Sequence, residues 1–454
     1  MSQAFTAPVR QQERIQFIDA IRGFALLGIL LMNIMSQGQA HFYYTTMNLS
    51  QSITGANYWA WLIESLFFEG TMRGLFSILI GAGTILLITR LEKKNAGLEP
   101  ADIYYRRLLW LLLFGLINAF IFLWPGDILY PYALGGLLLF PFRNWSARNL
   151  FLAALFFLAI ATYRSNSDLQ DFRNTISKGK AIEQLVTQKV SLTEVQNEDL
   201  KKYQSYKADN SKDGITRLAG NEEKQIKGQS YGSIFKYYLD RNMRRQSIGM
   251  YNFMIWDVLI FFFLGMALFK SGFITGKLSN YLYAGLAIGA TGFGLWFNYV
   301  DQHLIYQVKF DRYEFVQRYT FDTYQIRRFL QTLGYLSGLI LLYKWLPFRK
   351  LFNVLAPVGQ MAFTNYLSQS IITSVIFYGF GLFGALQRYE LYYIVAAIWG
   401  FQVVFSHIWR RYFRFGPFEW LWRSLTYWKK QPMKLATGKE ELQATPELVI
   451  PAIA

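Results

Sequence analysis

Five side chains in the N-terminal third of the sequence could perform acid–base or anion-binding chemistry together. They are Asn33, His41, Glu69, Arg73 and Asp127. A histidine can act as a general base, a carboxylate can orient it, an arginine can hold an anion, and an amide can donate to an oxyanion. We therefore predict His41, Asn33, Asp127 and Arg73 as catalytic residues and Glu69 as a substrate-binding residue.

Some of these residues also have a simpler structural interpretation. Asp127 precedes the apolar run "ILYPYALGG", where a carboxylate could cap a helix by accepting from its first backbone N–H groups. A single histidine outside an apolar segment, such as His41, is often incidental. These alternatives remain open at the level of the sequence.

A second polar pair lies at the start of the first apolar run, "RIQFIDAIRGFALLGILLMNI". Asp19 and Arg22 are separated by three positions, so on a helix they can form an ion pair. Asn33 lies on the same helical sector, about 21 Å further along the axis. We predict that Asp19 and Arg22 bind substrate, with an ion pair at the helix entrance as the alternative.

A third polar group interrupts the apolar run that contains "TNYLSQSIITS". Asn365 and Gln369 are one helical turn apart and therefore share a face. We predict that they contribute to substrate binding along a passage. Small and amide side chains also hold membrane helices together, and this is the alternative. Gly74, Gly81 and Gly83 in another run indicate close helix contacts.

Long apolar runs must position all these side chains. The chain has 454 residues, 53% of them hydrophobic and 18% aromatic. Apolar runs long enough to cross a hydrocarbon core of about 30 Å recur along it. We predict an all-α polytopic integral membrane protein with about ten transmembrane helices, near residues 17–36, 71–90, 107–124, 127–142, 149–163, 252–269, 279–298, 328–346, 358–380 and 391–408.

The charges between these runs predict the orientation of the chain. The connections at 90–107 and 142–148 are rich in Lys and Arg, whereas the connection at 37–57 has neither. By the positive-inside rule, both termini are cytoplasmic and Asn33, His41, Glu69, Arg73 and Asp127 lie at the outer boundary.

The polar residues 164–250 predict a mostly helical insertion on the outer side. It separates an N-terminal membrane half (1–163) from a C-terminal membrane half (251–428), and a cytoplasmic tail (429–454) follows.

Composition excludes several classes of function. There is no cysteine, which excludes disulfides, thiolate metal sites and cysteine nucleophiles. The chain has three scattered histidines, so we expect no metal site. The net charge of +17 is dispersed between apolar runs, which suits membrane topology better than nucleic-acid binding. The lipid bilayer is the expected environment.

The sequence resembles a known family of bacterial inner-membrane proteins. The stretches "FIDAIRGFALLGILLMNI", "GDILYPYALGGLLL", "GQMAFTNYLSQSIITSVIFYGFGLFG" and "HIWRRYFRFGPFEWLWRSLTY" resemble the YeiB-like family, labelled domain of unknown function 418. The residues that match its pattern are Asp19, Arg22, Asn33, Asp127, Asn365, Gln369 and Glu419. The opening D-x-x-R-G pattern is also similar to heparan-alpha-glucosaminide N-acetyltransferase, which implies acetyl-transfer roles for Asn33 and His41. That enzyme uses cytosolic acetyl-CoA, but its histidine lies further from the asparagine than His41 lies from Asn33.

These observations predict a transmembrane acyltransferase of the bacterial inner membrane. Acyl-CoA or acetyl-CoA would be the donor, and an envelope sugar or another small molecule on the outer side would be the acceptor. The alternative is a small-molecule transporter or exporter, because polar helix faces and glycine-interrupted helices also suit a substrate path. A third hypothesis is a non-enzymatic envelope factor that works through the insertion. The sequence leaves a homodimer open.

Overall fold

A computed structural model describes residues 16–44, 46–94 and 97–435 of the chain. Within these residues the secondary structure is helical and contains no strand, which confirms the predicted all-α class. The helices are α1 (Gln16–Gly38), α2 (Gly55–Ile63), α3 (Thr71–Lys94), α4 (Glu99–Phe120), α5 (Leu129–Leu137), α6 (Ala147–Thr187), α7 (Glu194–Asn210), α8 (Lys212–Ile226), α9 (Tyr231–Arg244), α10 (Ile255–Lys270), α11 (Asn280–Gln307), α12 (Arg312–Arg318), α13 (Tyr324–Lys344), α14 (Arg349–Gln360), α15 (Ala362–Ser374), α16 (Arg388–Tyr412) and α17 (Pro417–Thr426). The predicted tail beyond residue 435 and the first fifteen residues lie outside the described ranges.

Six helical stretches in the described ranges are long and apolar enough to cross a membrane. They are Gln16–Gly38, Gly55–Lys94, Glu99–Phe120, Ala147–Thr187, Tyr231–Lys270 and Arg388–Tyr412. This set fits a multi-pass membrane protein, but it does not confirm the predicted count of about ten spans.

The four other predicted spans fall in helices outside this set, and two of them are interrupted. In the region 127–142, α5 has nine residues and rises only about 14 Å, which is half a hydrocarbon core. The region 358–380 is broken at Met361, between α14 and α15. The spans expected at 279–298 and 328–346 correspond to α11 and α13.

Local sequence signals set the starts of the helices around the polar insertion. Ser146, Thr193, Ser211 and Ser230 each precede a helix and accept a hydrogen bond from one of its first backbone N–H groups. Such caps satisfy donors that a helix start otherwise leaves free. Helix α6 has 41 residues and is about 60 Å long, so it continues from the apolar bundle into the insertion without a break.

Helix α1 lies at the centre of the bundle, against α3, α14, α15 and α16. Glycines allow two of the closest helix contacts. A Cβ atom at Gly81 of α3 would lie 2.1 Å from the carbonyl oxygen of Phe262, and one at Gly265 of α10 would lie 2.1 Å from that of Ile78. These helices therefore pack backbone against backbone, as predicted from Gly81. Gly74 also has close neighbours, whereas Gly83 faces open space, so its predicted close contact is wrong.

The bundle has two distinct ends. Helices α7 and α8 lie beside the C-terminal end of α1, and the described residues of the C-terminal segment lie beside its start. We call these the insertion end and the tail end.

Candidate functional site

Two cavities enter the bundle from opposite ends. The insertion-side cavity has a volume of about 710 Å³ and is lined by the second half of α1, the start of α3 and insertion residues between 209 and 245. The tail-side cavity has a volume of about 290 Å³ and is lined by the start of α1, the rest of α3, α4 and α17. Ile128 lines both cavities, so they approach each other at this side chain.

His41 is held at the insertion-side cavity by a carboxylate from the insertion. Its Nδ1 lies 2.7 Å from Oε2 of Glu222, which also accepts from the His41 backbone N–H at 3.0 Å. Arg241 donates to the other oxygen of Glu222 at 2.7 Å. Because an ionised carboxylate only accepts, Nδ1 donates to Glu222, and in the neutral form of the imidazole Nε2 is the nitrogen that can accept a proton.

The surroundings of Glu222 keep it ionised. Its side chain is only 1% exposed, and burial by itself would raise its pKa. The hydrogen bonds from His41 and the charge of Arg241 outweigh burial, so the pKa of Glu222 lies below its ordinary value. The contact between His41 and Glu222 is therefore a charge-assisted hydrogen bond.

Asn33 lines the same cavity from α1. Its side chain is half-buried, and no hydrogen-bond partner occurs for it within the described ranges. An amide that lines a cavity without a protein partner can donate to a bound molecule. The structure thus brings Asn33 and His41 to one cavity, a convergence that the sequence by itself left open.

Glu69 and Arg73 meet through a tyrosine rather than directly. The hydroxyl of Tyr324 donates to Oε1 of Glu69 at 3.0 Å and accepts from Arg73 at 3.2 Å. Arg73 also lies 3.3 Å from Asp257, which binds Arg328 on its other side. Glu69 and Arg73 both line the cavity and belong to a buried network that fixes their positions.

Arg327 adds a second, looser part of this network. Its guanidinium lies 3.7 Å from Glu69 and 3.5 Å from Asp301, and neither contact is a hydrogen bond. The side chain is buried, and its Nε and Nη1 groups have no hydrogen-bond acceptor in the described part of the chain.

Two further arginines of this cavity have no carboxylate partner within the described residues. Arg245 is half-buried in the π-helical turn after α9, and Arg312 is exposed at the start of α12. The lining carboxylate Asp209, in contrast, is bound by Arg217 at 2.8 Å. The insertion-side cavity is therefore suited to an anion.

Asp127 lies behind this cavity rather than in its lining. Its Oδ2 accepts from the backbone N–H of Tyr130 at 2.8 Å, and its Oδ1 accepts from Asn118 at 2.7 Å. The residue is buried beside Ile128, between the two cavities. Its geometry matches the simpler interpretation of a carboxylate that caps the start of α5.

Asp19 and Arg22 form the expected ion pair, at 2.9 Å, and both line the tail-side cavity. They are therefore at the opposite end from His41. Deeper in this cavity the lining is apolar, with Phe76, Leu79 and Leu111.

The mouth of the tail-side cavity carries more positive than negative side chains. Arg90, Arg107 and Arg423 line it together with Arg22. Arg107 stacks 3.7 Å above the ring of Trp422 and has no carboxylate partner in the part of the chain that the structure describes. Glu419 also lines this cavity, but it accepts from the backbone N–H groups of Phe363 and Thr364 and thereby caps α15.

Asn365 and Gln369 line neither of these two cavities. Asn365 donates to the Val358 carbonyl at 3.1 Å and to Ser406 at 3.0 Å, and Gln369 donates to Gln402 at 3.1 Å. Both side chains are buried between α15 and α16. Their contacts match the alternative interpretation, in which amides hold helices together.

Four residues of the site were not predicted from the sequence, and only one of them, Glu222, carries no local signal there. Glu222 lies 181 positions after His41, in a polar segment with many similar glutamates. Asp257 could have been recognised, because it is a carboxylate inside the apolar run 252–269, and such residues usually face the protein interior. Arg327 and Arg328 lie at the start of another apolar run and carry the same signal.

Comparison with known proteins supports the resemblance stated above. The model of a family described as "Protein of unknown function (DUF418)" matches residues 268–429. The chain is 31% identical to "Uncharacterized protein YxaH" of Bacillus subtilis, over 95% of this chain and 98% of the relative. It is 30% identical to "Uncharacterized protein YeiB" of Escherichia coli, over 91% of this chain and 96% of the relative.

A third relative is the "Uncharacterized 39.9 kDa protein in amylase 3'region" of Bacillus acidopullulyticus, at 26% identity over 94% of this chain and 98% of the relative. No solved structure matches the chain. Full-length similarity at 30% identity or more, together with the family match over the C-terminal membrane half, identifies the protein: the chain belongs to the YeiB-like family, domain of unknown function 418.

Proposed function

We propose that the protein is an acyltransferase that passes an acyl group from acyl-CoA in the tail-side cavity to an acceptor in the insertion-side cavity. One observation carries the proposal: the two cavities enter from opposite ends and share the side chain of Ile128. A donor and an acceptor held on either side of this residue would meet inside the bundle. Asn33 and His41 on the acceptor side support it further, because the heparan enzyme, whose opening D-x-x-R-G pattern this sequence resembles, is proposed to use an asparagine and a histidine.

The tail-side cavity has the composition that a CoA thioester requires. Its arginine-rich mouth suits phosphate groups, and its apolar interior suits the pantetheine arm and a short acyl chain. A volume of about 290 Å³ holds that arm but not the nucleotide, which would remain at the mouth beside Arg107. Acetyl-CoA is the simplest donor for this space.

His41 and Asn33 supply the chemistry on the acceptor side. Nε2 of His41 takes the proton from an acceptor hydroxyl or amine, and the acceptor atom attacks the thioester carbonyl carbon. The new bond to oxygen or nitrogen forms, the carbon–sulfur bond breaks, and CoA leaves as a thiolate that is then protonated. Asn33 donates a hydrogen bond to the carbonyl oxygen as it gains negative charge.

We further propose that about ten segments cross the bacterial inner membrane, with both termini in the cytoplasm and the insertion outside. Helices α11 and α13 pack along each other, and Ile288, Phe293 and Trp296 of α11 expose large apolar surfaces that suit lipid. The basic connections at the tail end support a cytoplasmic location for that end. The acceptor would then be an envelope sugar or another small molecule outside the cytoplasm.

Calorimetric titration of the purified protein with acetyl-CoA and CoA tests the donor. We expect binding of both, and no binding of either would overturn the proposal. Turnover can be followed as release of the CoA thiol from acetyl-CoA with glucosamine as acceptor, because the chain has no cysteine to react with a thiol reagent.

Ile128→Trp tests the shared position directly. A bulky ring there would separate the cavities, so we expect thiol release to fall at least about tenfold while acetyl-CoA still binds. Ile288→Trp is the matched control, because Ile288 is 77% exposed on the surface of α11. Equal turnover in both variants would contradict transfer past Ile128.

The alternative, a small-molecule transporter, is also consistent with two cavities that share Ile128. Two cavities that approach each other from opposite ends also occur in alternating access. Flux of a solute such as glucosamine into proteoliposomes, without thiol release from acetyl-CoA, would favour the transporter.

A further inference from the structure

We infer that the insertion-side cavity binds a phosphoryl group, so that the molecule it accepts is a phosphate ester. The acceptor role of that ester rests on the proposed function, whereas the binding site itself rests only on the geometry of the cavity. The inference starts from two guanidinium groups, each of which lacks a hydrogen-bonded carboxylate within the described ranges.

Arg245 is the first of these groups. It lines the cavity, is half-buried, and has no carboxylate partner within the described ranges. Burial disfavours its charge, and Arg241 and Arg73 lie close enough to repel it, while Asp127 is near enough to attract it without forming an ion pair. Partial removal of a cation from water without a counter-ion is unfavourable. A bound anion would supply the counter-ion that this partly buried guanidinium lacks.

Arg327 is the second, and it is buried more deeply. Its side chain is only 6% exposed, yet Nη1 and Nε have no hydrogen-bond acceptor among the described residues. Its two carboxylate neighbours, Glu69 and Asp301, lie at 3.7 and 3.5 Å, too loosely for a hydrogen bond. Buried donors are nearly always satisfied in proteins, so an acceptor at this wall of the cavity is expected from a ligand.

The charges that line the cavity identify this ligand as an anion. The lining carboxylates Glu69 and Asp209 already have arginine neighbours, whereas Arg245 and the exposed Arg312 form no ion pair within the described residues and add positive charge to the cavity. Arg312 at the rim would attract an anion from solution, and Arg245 would bind it inside.

Guanidinium groups bind both carboxylates and phosphates with two parallel hydrogen bonds. A phosphoryl group, with nearly two negative charges and three acceptor oxygens, fits several such groups better than a carboxylate does. A volume of about 710 Å³ leaves room for the rest of the ester. Asn33 can donate to its hydroxyl groups.

Titration of the purified full-length protein with glucosamine 6-phosphate, compared with glucosamine, tests the site. We expect the phosphate ester to bind at least tenfold more tightly than the uncharged sugar. Arg245→Gln should weaken binding of the ester at least tenfold, and Arg245→Lys should weaken it less. Arg312→Gln should weaken this binding only a few-fold, because Arg312 is exposed. Arg148→Gln is the matched control, since Arg148 is exposed at the start of α6 and lines neither cavity. Equal affinity of the two sugars, or of the wild type and Arg245→Gln, would overturn the inference.

Acetyl-CoA titration of the same variants separates this inference from the proposed function. Arg245→Gln should bind acetyl-CoA normally, which also shows that it is folded. If acetyl-CoA binds but no phosphate ester does, the inference fails and acyl transfer stands. If the ester binds but acetyl-CoA does not, the site stands without the proposed acyltransferase.

The phosphoryl group could belong to a soluble sugar phosphate or to a lipid headgroup. Dihexanoyl phosphatidic acid, a short-chain lipid with the same group, is the second probe. Tighter binding of this lipid than of glucosamine 6-phosphate would assign a lipid, and the reverse would assign a soluble ester. Binding of neither probe would contradict the site itself.

Discussion

The contact of His41 with Glu222 joins a loop after α1 to a helix of the insertion. Replacement of Glu222 by Gln keeps the shape of the side chain but removes the charge that stabilises a protonated histidine. A hydrogen bond to a charged group contributes about 1.5–3 kcal/mol, so we expect turnover to fall about tenfold to a hundredfold. His41→Ala should lower turnover about a hundredfold or more.

The measurement is CoA thiol release, with acetyl-CoA binding as the check on folding. Glu198→Gln, at an exposed position of α7, is the control. Unchanged turnover in His41→Ala would remove this residue from the mechanism and leave the class of protein open.

The lowered pKa of Glu222 also predicts that the stability of the folded protein depends on pH. Its pKa in the folded protein lies below the ordinary value, because hydrogen bonds from His41 and the charge of Arg241 outweigh the effect of burial. A lowered carboxyl pKa stabilises the fold above the unfolded-state pKa, and this contribution is lost as the pH falls through the folded-state pKa. We expect the wild type to melt at a higher temperature than Glu222→Gln at pH 7, with a difference that shrinks in acid. A difference independent of pH would argue that Glu222 acts only by packing.

A substitution of Arg107 tests whether the tail-side cavity binds acetyl-CoA. It has no carboxylate partner within the described residues and lies at the mouth of the tail-side cavity. If it contacts a phosphate of CoA, Arg107→Gln should weaken binding of acetyl-CoA about tenfold, as the loss of one charged hydrogen bond predicts. Calorimetric titration measures this, and Arg148→Gln should bind like the wild type. Normal affinity of Arg107→Gln would exclude this residue from the donor site.

At the scale of elements, the contact of α3 with α10 depends on paired glycines. A methyl group at Gly265 would lie 2.1 Å from the backbone carbonyl of Ile78, so the two helices would have to separate. We expect Gly265→Ala to lower stability by about 1–3 kcal/mol, the usual range for an overfilled core. Thermal unfolding in detergent measures the loss.

Gly289→Ala, in α11, is the control. Its Cβ atom would have open space in α11, and alanine forms helices better than glycine by about 0.5–1 kcal/mol. This variant should be neutral or slightly more stable. Similar losses in both variants would show that helix propensity, rather than the close contact, determines the effect at Gly265.

At the scale of the whole molecule, the proposed orientation can be tested by single-cysteine labelling. The natural chain has no cysteine, so each introduced thiol is the only one that reacts. Lys201→Cys in the insertion and Glu314→Cys between α11 and α13 should react with a membrane-impermeant maleimide on intact cells. Lys277→Cys, at the tail end, should react only after permeabilisation.

All three positions are exposed in the structure, so accessibility of the side chain itself is matched. Reaction of Lys277→Cys on intact cells, together with protection of Lys201→Cys, would reverse the proposed orientation. Protection of Glu314→Cys alone would show that α11 and α13 do not cross as proposed.

The sequence by itself determined the helical class, several helix starts and the family. These properties follow from local or periodic signals: apolar runs, capping residues such as Ser146, and long matching stretches at both ends. It also indicated that Asn33, His41, Glu69 and Arg73 lie at one end of the bundle, because the first two lie where one apolar run ends and the other two lie where the next run begins.

Only the tertiary structure decided which polar residues share a cavity. Glu222 and Arg245 come from a segment far along the chain, and nothing local connects them with His41. Asp127 and Asn365 look equally suited to chemistry in the sequence, yet the fold uses them to cap a helix and to join two helices. The physical reason is that a polar side chain in an apolar helix must find a partner, and only packing determines whether that partner is protein or a space for a ligand.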